Sequence, residues 1–248
     1  MAEKHYYEQR TFAQTYLIPY FQKHVSDFQS MKILEIGCAE AGVLAVLAES
    51  GMDVCGLELE AVRVKIAQAK NPRLAIYVGD ITDPAIIKTI NRRFDLIILR
   101  DVIEHITDRN TAFTHMIALL KARGYLFITF PPRFSGFAGH QQNARSFLRF
   151  IPFLHLLPNG LIRFLGNYLK ENKDLIEGVI TNYRIGFTIH AFERYCKCYK
   201  LKPVVRDLFL IRPVFKLRYH IRPRKIYHVP LVREMLASGC EYLLQKES

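Results

Sequence analysis

Short apolar runs alternate with segments whose apolar residues recur every three or four positions along the first 130 residues. Residues 31–36 read as a short buried strand. Residues 41–49 read as a helix of strong helix formers, with Val43, Leu44, Val46 and Leu47 on one stripe. Strands are expected again at 53–57 and 74–78, and the most apolar run, 94–99, has the character of a central strand in a parallel sheet. An amphipathic helix at about 110–121 leads to a fifth strand at 124–130. Alternation of this kind predicts a doubly wound α/β fold with ligands bound at the carboxyl edge of the sheet.

Beyond residue 130 the pattern changes. Residues 147–169 form an apolar, hairpin-like element turned at Pro158-Asn159-Gly160. Two prolines, two arginines and the turn cut it into pieces of about ten residues, half of what a spanning helix needs, so it is not a transmembrane segment. Its plain reading is a packed helical subdomain. With Arg149 and Arg163 on apolar helices, it could also lie in a membrane interface or form a lid over an apolar acceptor. A helix is expected at 188–200, with Phe192 and Tyr195 toward the core, then a strand at 203–211 whose hairpin partner, across Arg212-Pro213, is 215–221. The expected architecture is α/β: a Rossmann-like, seven-stranded, mostly parallel sheet with helices on both faces, an antiparallel last strand and a helical insertion after strand 5.

The turn between the first strand and its helix carries the chemistry. It reads Leu34-Glu35-Ile36-Gly37-Cys38-Ala39-Glu40-Ala41-Gly42. A phosphate-binding P-loop would need Lys-Ser or Lys-Thr after its last glycine, where Val43-Leu44 stands. A dinucleotide fingerprint would need a glycine at the third place from Gly37, which is Ala39. What remains resembles motif I of the class I S-adenosylmethionine-dependent methyltransferases. Ala39 and Ala41 replace commoner glycines, and alanine resists positive backbone dihedrals, so a slightly different loop shape is expected.

The resemblance is close over roughly 30–130 and looser elsewhere. It implies S-adenosyl-L-methionine as cofactor and a cofactor-binding set of Glu35, Gly37, Cys38, Ala39, Gly42, Glu58, Leu59, Asp80, Ile81 and Arg100. Glu58 ends the second strand, where a carboxylate can accept both ribose hydroxyls. Asp80 would bond the adenine amino group and Ile81 would pack on the ring. A Glu-His pair after the fourth strand, here Glu104-His105, is common among members that methylate small molecules. His105 or His140 is nominated as general base for a hydroxyl acceptor, with Asp101 or Glu104 orienting it. Each residue also has a plainer reading: Glu35 as a helix cap, Glu58 and Asp80 as acids favoured by helix dipoles, and His105 as a donor to a backbone carbonyl. Pro131-Pro132-Arg133 lacks the preceding acid or amide of an amino-methylating motif and follows the fifth strand rather than the fourth. The segment from Pro131 to Gly139-His140-Gln141-Gln142 is similar to a pattern of uncharacterised bacterial members often associated with surface-glycan synthesis.

With 248 residues, half of them apolar, and no linker or repeat, the chain fits one domain: a helical cap at 1–30, a cofactor core at 31–130, a lid or substrate insertion at 131–185 and a last helix with edge strands at 186–248. Residues 1–30 lack the long apolar run of a signal peptide, and Tyr6, Tyr7, Phe12, Tyr16, Leu17 and Phe21 look like one helical face covering the cofactor edge. A cytoplasmic protein, peripheral to a membrane at most, is expected. Five scattered cysteines suggest reduced thiols, and Cys196 and Cys198 fall on different helix faces, so no metal site is expected.

Charge divides along the chain. Residues 1–130 hold 15 Lys+Arg against 15 Asp+Glu, whereas residues 131–248 hold 20 against 8. Arg206, Arg212, Lys216, Arg218, Arg222, Arg224 and Lys225 cluster around one acid, Asp207, which favours an anionic neighbour such as a phosphate or lipid headgroup. The expected acceptor is therefore small, or linked to a lipid or glycan. An RNA methyltransferase and a non-catalytic cofactor-binding scaffold are the alternatives. The basic half suits RNA, but there is no RNA-binding module, aromatic RNP pattern or zinc knuckle.

Overall fold

A computed structural model describes residues 2–230 and 232–247. Its centre is an eight-stranded sheet made of β1 (Lys32–Ile36), β2 (Asp53–Glu58), β3 (Ala75–Val78), β4 (Phe94–Arg100), β5 (Leu120–Phe130), β6 (Leu201–Ile211), β7 (Arg224–Lys225) and β8 (Gly239–Lys246). The strand order is β3-β2-β1-β4-β5-β8-β6-β7. Pairs from β3 to β5 are parallel, and β8 runs antiparallel to both β5 and β6. The Rossmann-like expectation holds, with eight strands in place of seven.

Period-two alternation assigns β4 side chains to two cores. Ile97 and Leu99 join Phe113, Met116 and Phe192 on one face, while Leu96 and Ile98 join Phe21, Leu44 and Phe127 on the other. The first face is covered by α6 (Arg109–Leu119) and α9 (Ile189–Cys198). The second is covered by α3 (Gly42–Glu49) and the N-terminal helices α1 (Ala2–Phe12) and α2 (Ile18–His24), joined by a π-helical turn at Ala13–Leu17. Tyr6, Leu17 and Phe21 are buried there as expected, but Tyr7 is exposed and does not belong to that face.

Two expected elements are corrected. Residues 215–221 do not form a strand: Val214–Tyr219 is the short helix α10, with Pro213 as its N-cap and no buried residue. β6 lies between the two-residue β7 and β8, and Gly239 to Leu244 of β8 are all buried, so burying this near-continuous apolar run outcompetes the exposed 215–221 segment for the sheet. Nor is 147–169 a hairpin. Pro158, with φ −54° and ψ 136°, opens the helix α7 (Asn159–Tyr168). Against it lies α8 (Lys173–Ile185), and Leu148, Leu154, Ile162, Ile176, Val179 and Ile180 make a small core of their own. Among the described residues no helix is long and apolar enough to cross a membrane. Cys196 is buried and Cys198 exposed, and all five cysteines are free thiols.

Glu241 on β8 is 3% exposed, and the Tyr16 hydroxyl donates to its Oε1 at 2.6 Å. Burial pushes its carboxyl up to about 7, against the pull of that hydrogen bond. The unfolded chain therefore loses this proton at lower pH than the folded one, and the associated stability is lost as pH rises from about 5 through 7. Glu241→Gln, which keeps the shape without the charge, is expected to unfold at a higher temperature than the parent at pH 8 and at nearly the same temperature at pH 5. Parallel melting profiles across that range would show that the carboxyl does not titrate this way.

Candidate active site

The carboxyl ends of β1, β2, β4 and β5 open into a cavity of about 1410 Å³, walled also by the N-terminal helices and by the 131–153 segment. That exceeds the usual volume of a pocket for one small ligand, so there is room for two side by side.

Its floor is the turn after β1. Gly37 has φ +71°, and a Cβ there would lie 2.3 Å from Val102 Cγ2, so only glycine fits without displacement. Ala39 and Ala41 also take left-handed backbone, with φ 52° and 58°. The expected resistance of alanine is thus overcome, at roughly 1–2 kcal/mol per residue. Hydrogen bonds hold the turn: Gly37 N–H donates to Leu57 O (2.7 Å), Ala41 N–H to Cys38 O (2.9 Å) and Ala39 N–H to Glu58 Oε2 (2.8 Å). Glu60 N–H donates to the other Glu58 oxygen at 3.0 Å. Buried Glu58 therefore presents a carboxylate fixed by two backbone donors, with lone pairs left over, at the cavity wall.

Sequence reasoning missed Gln9. It is buried, its Oε1 accepts from Gly42 N–H (2.8 Å) and its Nε2 donates to Cys38 O (3.3 Å), so α1 clamps the turn from above. The only signal was an amphipathic N-terminal face, which carries no information about what it covers.

Of the nominated cofactor residues, Gly37, Ala39, Glu58, Leu59, Asp80, Ile81 and Arg100 line the cavity. Cys38, Gly42 and Glu35 do not: Cys38 is buried against Gly56, Gly42 sits under Gln9, and Glu35 lies behind Arg100. Arg100 Nη2 and Nε both donate to Glu35 Oε1, at 3.0 and 3.1 Å, leaving Glu35 Oε2 buried with no partner. Burial pushes the Glu35 carboxyl up in spite of Arg100.

All four nominated catalytic residues lie on two neighbouring loops. Asp101 has φ 55°, and Arg212 Nη2 donates to both its oxygens at 2.6 and 2.7 Å. Burial acts to raise the Asp101 carboxyl, but Arg212 outweighs it and the net direction is down. Glu104, three residues on, is pushed well up by burial and by the charge of Asp101, and neither of its oxygens has a hydrogen-bond partner. The His105 and His140 rings stand edge to face with centroids 5.4 Å apart, and both line the cavity. Burial lowers both imidazoles, and His105 lowers His140 further, so both are neutral near pH 7.

The basic C-terminal cluster is less available than its charge suggests. Arg206 pairs with Glu193, Arg212 with Asp101, Arg218 with Glu8 and Lys225 with Asp207. Four of the seven cations thus serve the fold itself.

Against known proteins, a family model described as a methyltransferase domain matches residues 6–172. A curated relative, ubiquinone biosynthesis O-methyltransferase of Bordetella avium (strain 197N), is 25% identical over 149 residues, covering 58% of each chain. The same-named protein of Bartonella quintana (strain Toulouse) is 29% identical over 105 residues, covering 41% of this chain and 42% of that one. The chain spans about half the length of such relatives. The solved structure of an S-adenosylmethionine-dependent methyltransferase from Clostridium acetobutylicum ATCC 824 superposes over 98% of this chain and 92% of that one, with TM-score 0.60 and 12% identity. Geranyl diphosphate C-methyltransferase from Streptomyces coelicolor A3(2) superposes over 94% and 79%, with TM-score 0.54 and 11% identity. At these identities the structures share the fold.

The left-handed turn makes its own prediction. Ala39→Gly removes a Cβ from a backbone conformation that glycine adopts freely, and is expected to raise the unfolding free energy by about 1 kcal/mol in a denaturant titration. A destabilised variant would mean that the Ala39 methyl contributes more through packing than its backbone costs.

Proposed function

The chain belongs to the methyltransferase-domain family, and from that membership we propose that it transfers a methyl group from S-adenosyl-L-methionine to a hydroxyl oxygen of a small or lipid-linked acceptor. The observation that carries the cofactor reading is Glu58: a carboxylate locked by two backbone N–H groups at the carboxyl edge of the sheet, beside a turn where Gly37 admits no Cβ. Such a carboxylate offers two acceptor oxygens to a vicinal diol. Exposed Asp80 and buried Ile81 lie along the same wall, one suited to an adenine amino group and the other to a ring face. Arg100, backed by Glu35, lines the base of this half of the cavity, where a methionine carboxylate would find a complementary charge.

The cofactor supplies a methyl group already activated by its sulfonium. The protein's part is to align, to exclude water and to accept a proton. The acceptor's hydroxyl proton passes to the neutral imidazole cluster of His105 and His140. With its proton held there, the oxygen would be the nucleophile for the methyl group that the bound cofactor would supply, the products being a methyl ether and S-adenosylhomocysteine. Asp101 is held by Arg212 and is available to orient rather than to take up the proton.

Support for oxygen as the methylated atom comes from the names of the curated relatives. Support for an apolar tail comes from the rim. Phe147, Phe150, Leu161, Phe164 and Tyr168 are exposed on the 147–169 segment, and Phe150 and Arg149 reach the cavity. An apolar rim of this kind suits an acceptor presented from a lipid surface.

In calorimetric titration the protein is expected to bind S-adenosylmethionine and S-adenosylhomocysteine saturably, and Glu58→Ala to weaken both by at least about tenfold. Wild-type protein that binds neither would overturn the enzyme reading. In a methyl-transfer assay, a phenol with a long alkyl chain should be used at a lower KM than the same phenol without it, with Phe150→Ser erasing most of that difference. Equal KM values for the two phenols would remove the lipid-linked acceptor.

A further inference from the structure

We propose that Glu104, His105 and His140 form a binding site for one divalent transition-metal ion of the zinc type. One ligand atom from each of the three lies within 4.8 Å of the others, with His105 Nε2 at 3.9 Å from Glu104 Oε1. Two ligands of a tetrahedral zinc ion stand about 3.4 Å apart, so binding requires a closure of roughly 1 Å. Rotations of two histidine side chains supply that.

The second observation is the state of Glu104. Its side chain is 6% exposed, and among the described residues no donor reaches either oxygen. Arg212 is engaged on both oxygens of Asp101 and Arg109 on the backbone carbonyls of Glu104 and Ile185, while Arg133, which walls the same void, lies over the Tyr183 ring at 4.5 Å with its buried Nε making no hydrogen bond among the described residues. A buried carboxylate without a hydrogen-bond partner is costly, and a cation shared with two neutral imidazoles would give it the direct contact that neither Arg212 nor Arg109 makes. The three residues also wall a small void with Pro131, Arg133 and Asn182, behind the main cavity.

Two nitrogens and one carboxylate oxygen, with no thiolate, favour zinc and its first-row neighbours over magnesium or calcium. Three protein ligands would leave a position open on a tetrahedral ion, and two of the three, His105 and His140, also line the main cavity. The role in catalysis rests on the methyltransferase reading. A bound ion would lower the pKa of the acceptor hydroxyl by its charge so that the proton is lost to solvent water, and the imidazoles would then serve as ligands in place of the proton-accepting role they have without the ion.

The test uses the full chain, stripped with a chelator and titrated anaerobically with Co²⁺ and, calorimetrically, with Zn²⁺. One equivalent is expected to bind, with visible ligand-field bands of a tetrahedral or five-coordinate site and no thiolate charge-transfer band. Glu104→Gln and the double variant His105→Ala/His140→Ala should each weaken that equivalent by at least about 100-fold. Cys198→Ser, which removes the one exposed thiol, should leave it unchanged. No stoichiometric binding, binding undiminished in the double variant, or binding lost in Cys198→Ser would each overturn the site. S-adenosylhomocysteine titrated into the same samples separates the two readings. Retained cofactor binding in the variants shows an intact fold that has lost only the metal. Metal uptake by a wild-type protein that ignores the cofactor would keep the site and remove its role in methylation.

Discussion

The rest of the site depends on the contact between the Glu58 carboxylate and the Ala39 backbone N–H. The turn after β1 places three residues, Gly37, Ala39 and Ala41, in left-handed backbone within five positions. For two alanines that is an unfavourable local choice. It persists because groups outside the turn over-determine it: Glu58 from β2 below, Gln9 from α1 above, and Leu57 O accepting from Gly37. Strain in the loop and order in the flanking elements are therefore two sides of one arrangement. A glycine-rich version would need less support and would also be less rigid.

A second constraint ties the far end of the chain to the same place. Arg212 leaves β6 and forms a two-pronged ion pair with Asp101 at the end of β4, 111 residues earlier. Gly239, the first residue of β8, packs against that arginine so closely that a Cβ would lie 2.6 Å from its Nε. The basic C-terminal half is thus partly an internal framework. Arg212 and Arg218 reach across to Asp101 and Glu8 of the first half, while Arg206, Lys225 and Arg233 pair with Glu193 and Asp207 of their own half.

Residues 31–130 were legible because their periodicities are long-lived and local: a strand buried on both faces must be apolar throughout, and a surface helix must show its stripe. Each of the first five strands lies within a few residues of where the pattern puts it. The C-terminal sheet edge was misassigned for a complementary reason. Phe215–Ile221 and Gly239–Lys246 both carry strand-like residues, and only the competition for the slot between β5 and β6 decides between them. That competition is tertiary. Gln9, the engagement of Arg212 and the isolation of Glu104 were equally out of reach, because each follows from what lies across the fold from a residue rather than beside it in the chain.

Asp101 and Glu104 show how such placement makes chemistry. They are two carboxylates on one turn, and unassisted they would each raise the other's pKa. Arg212 hydrogen-bonds only to the first, so Asp101 is held below the usual carboxylate range, while burial and the charge of Asp101 outweigh the pull of Arg212 on Glu104 and drive it toward its neutral form. Environments that push paired titratable groups apart give them different tasks. Asp101 is committed to holding the C-terminal framework in register with the cavity. Glu104, with nothing to hold, is the group whose charge depends on what enters, a proton or a cation. A change there leaves the Asp101–Arg212 pair intact, so the wall of the cavity keeps its shape while the chemistry beside it varies.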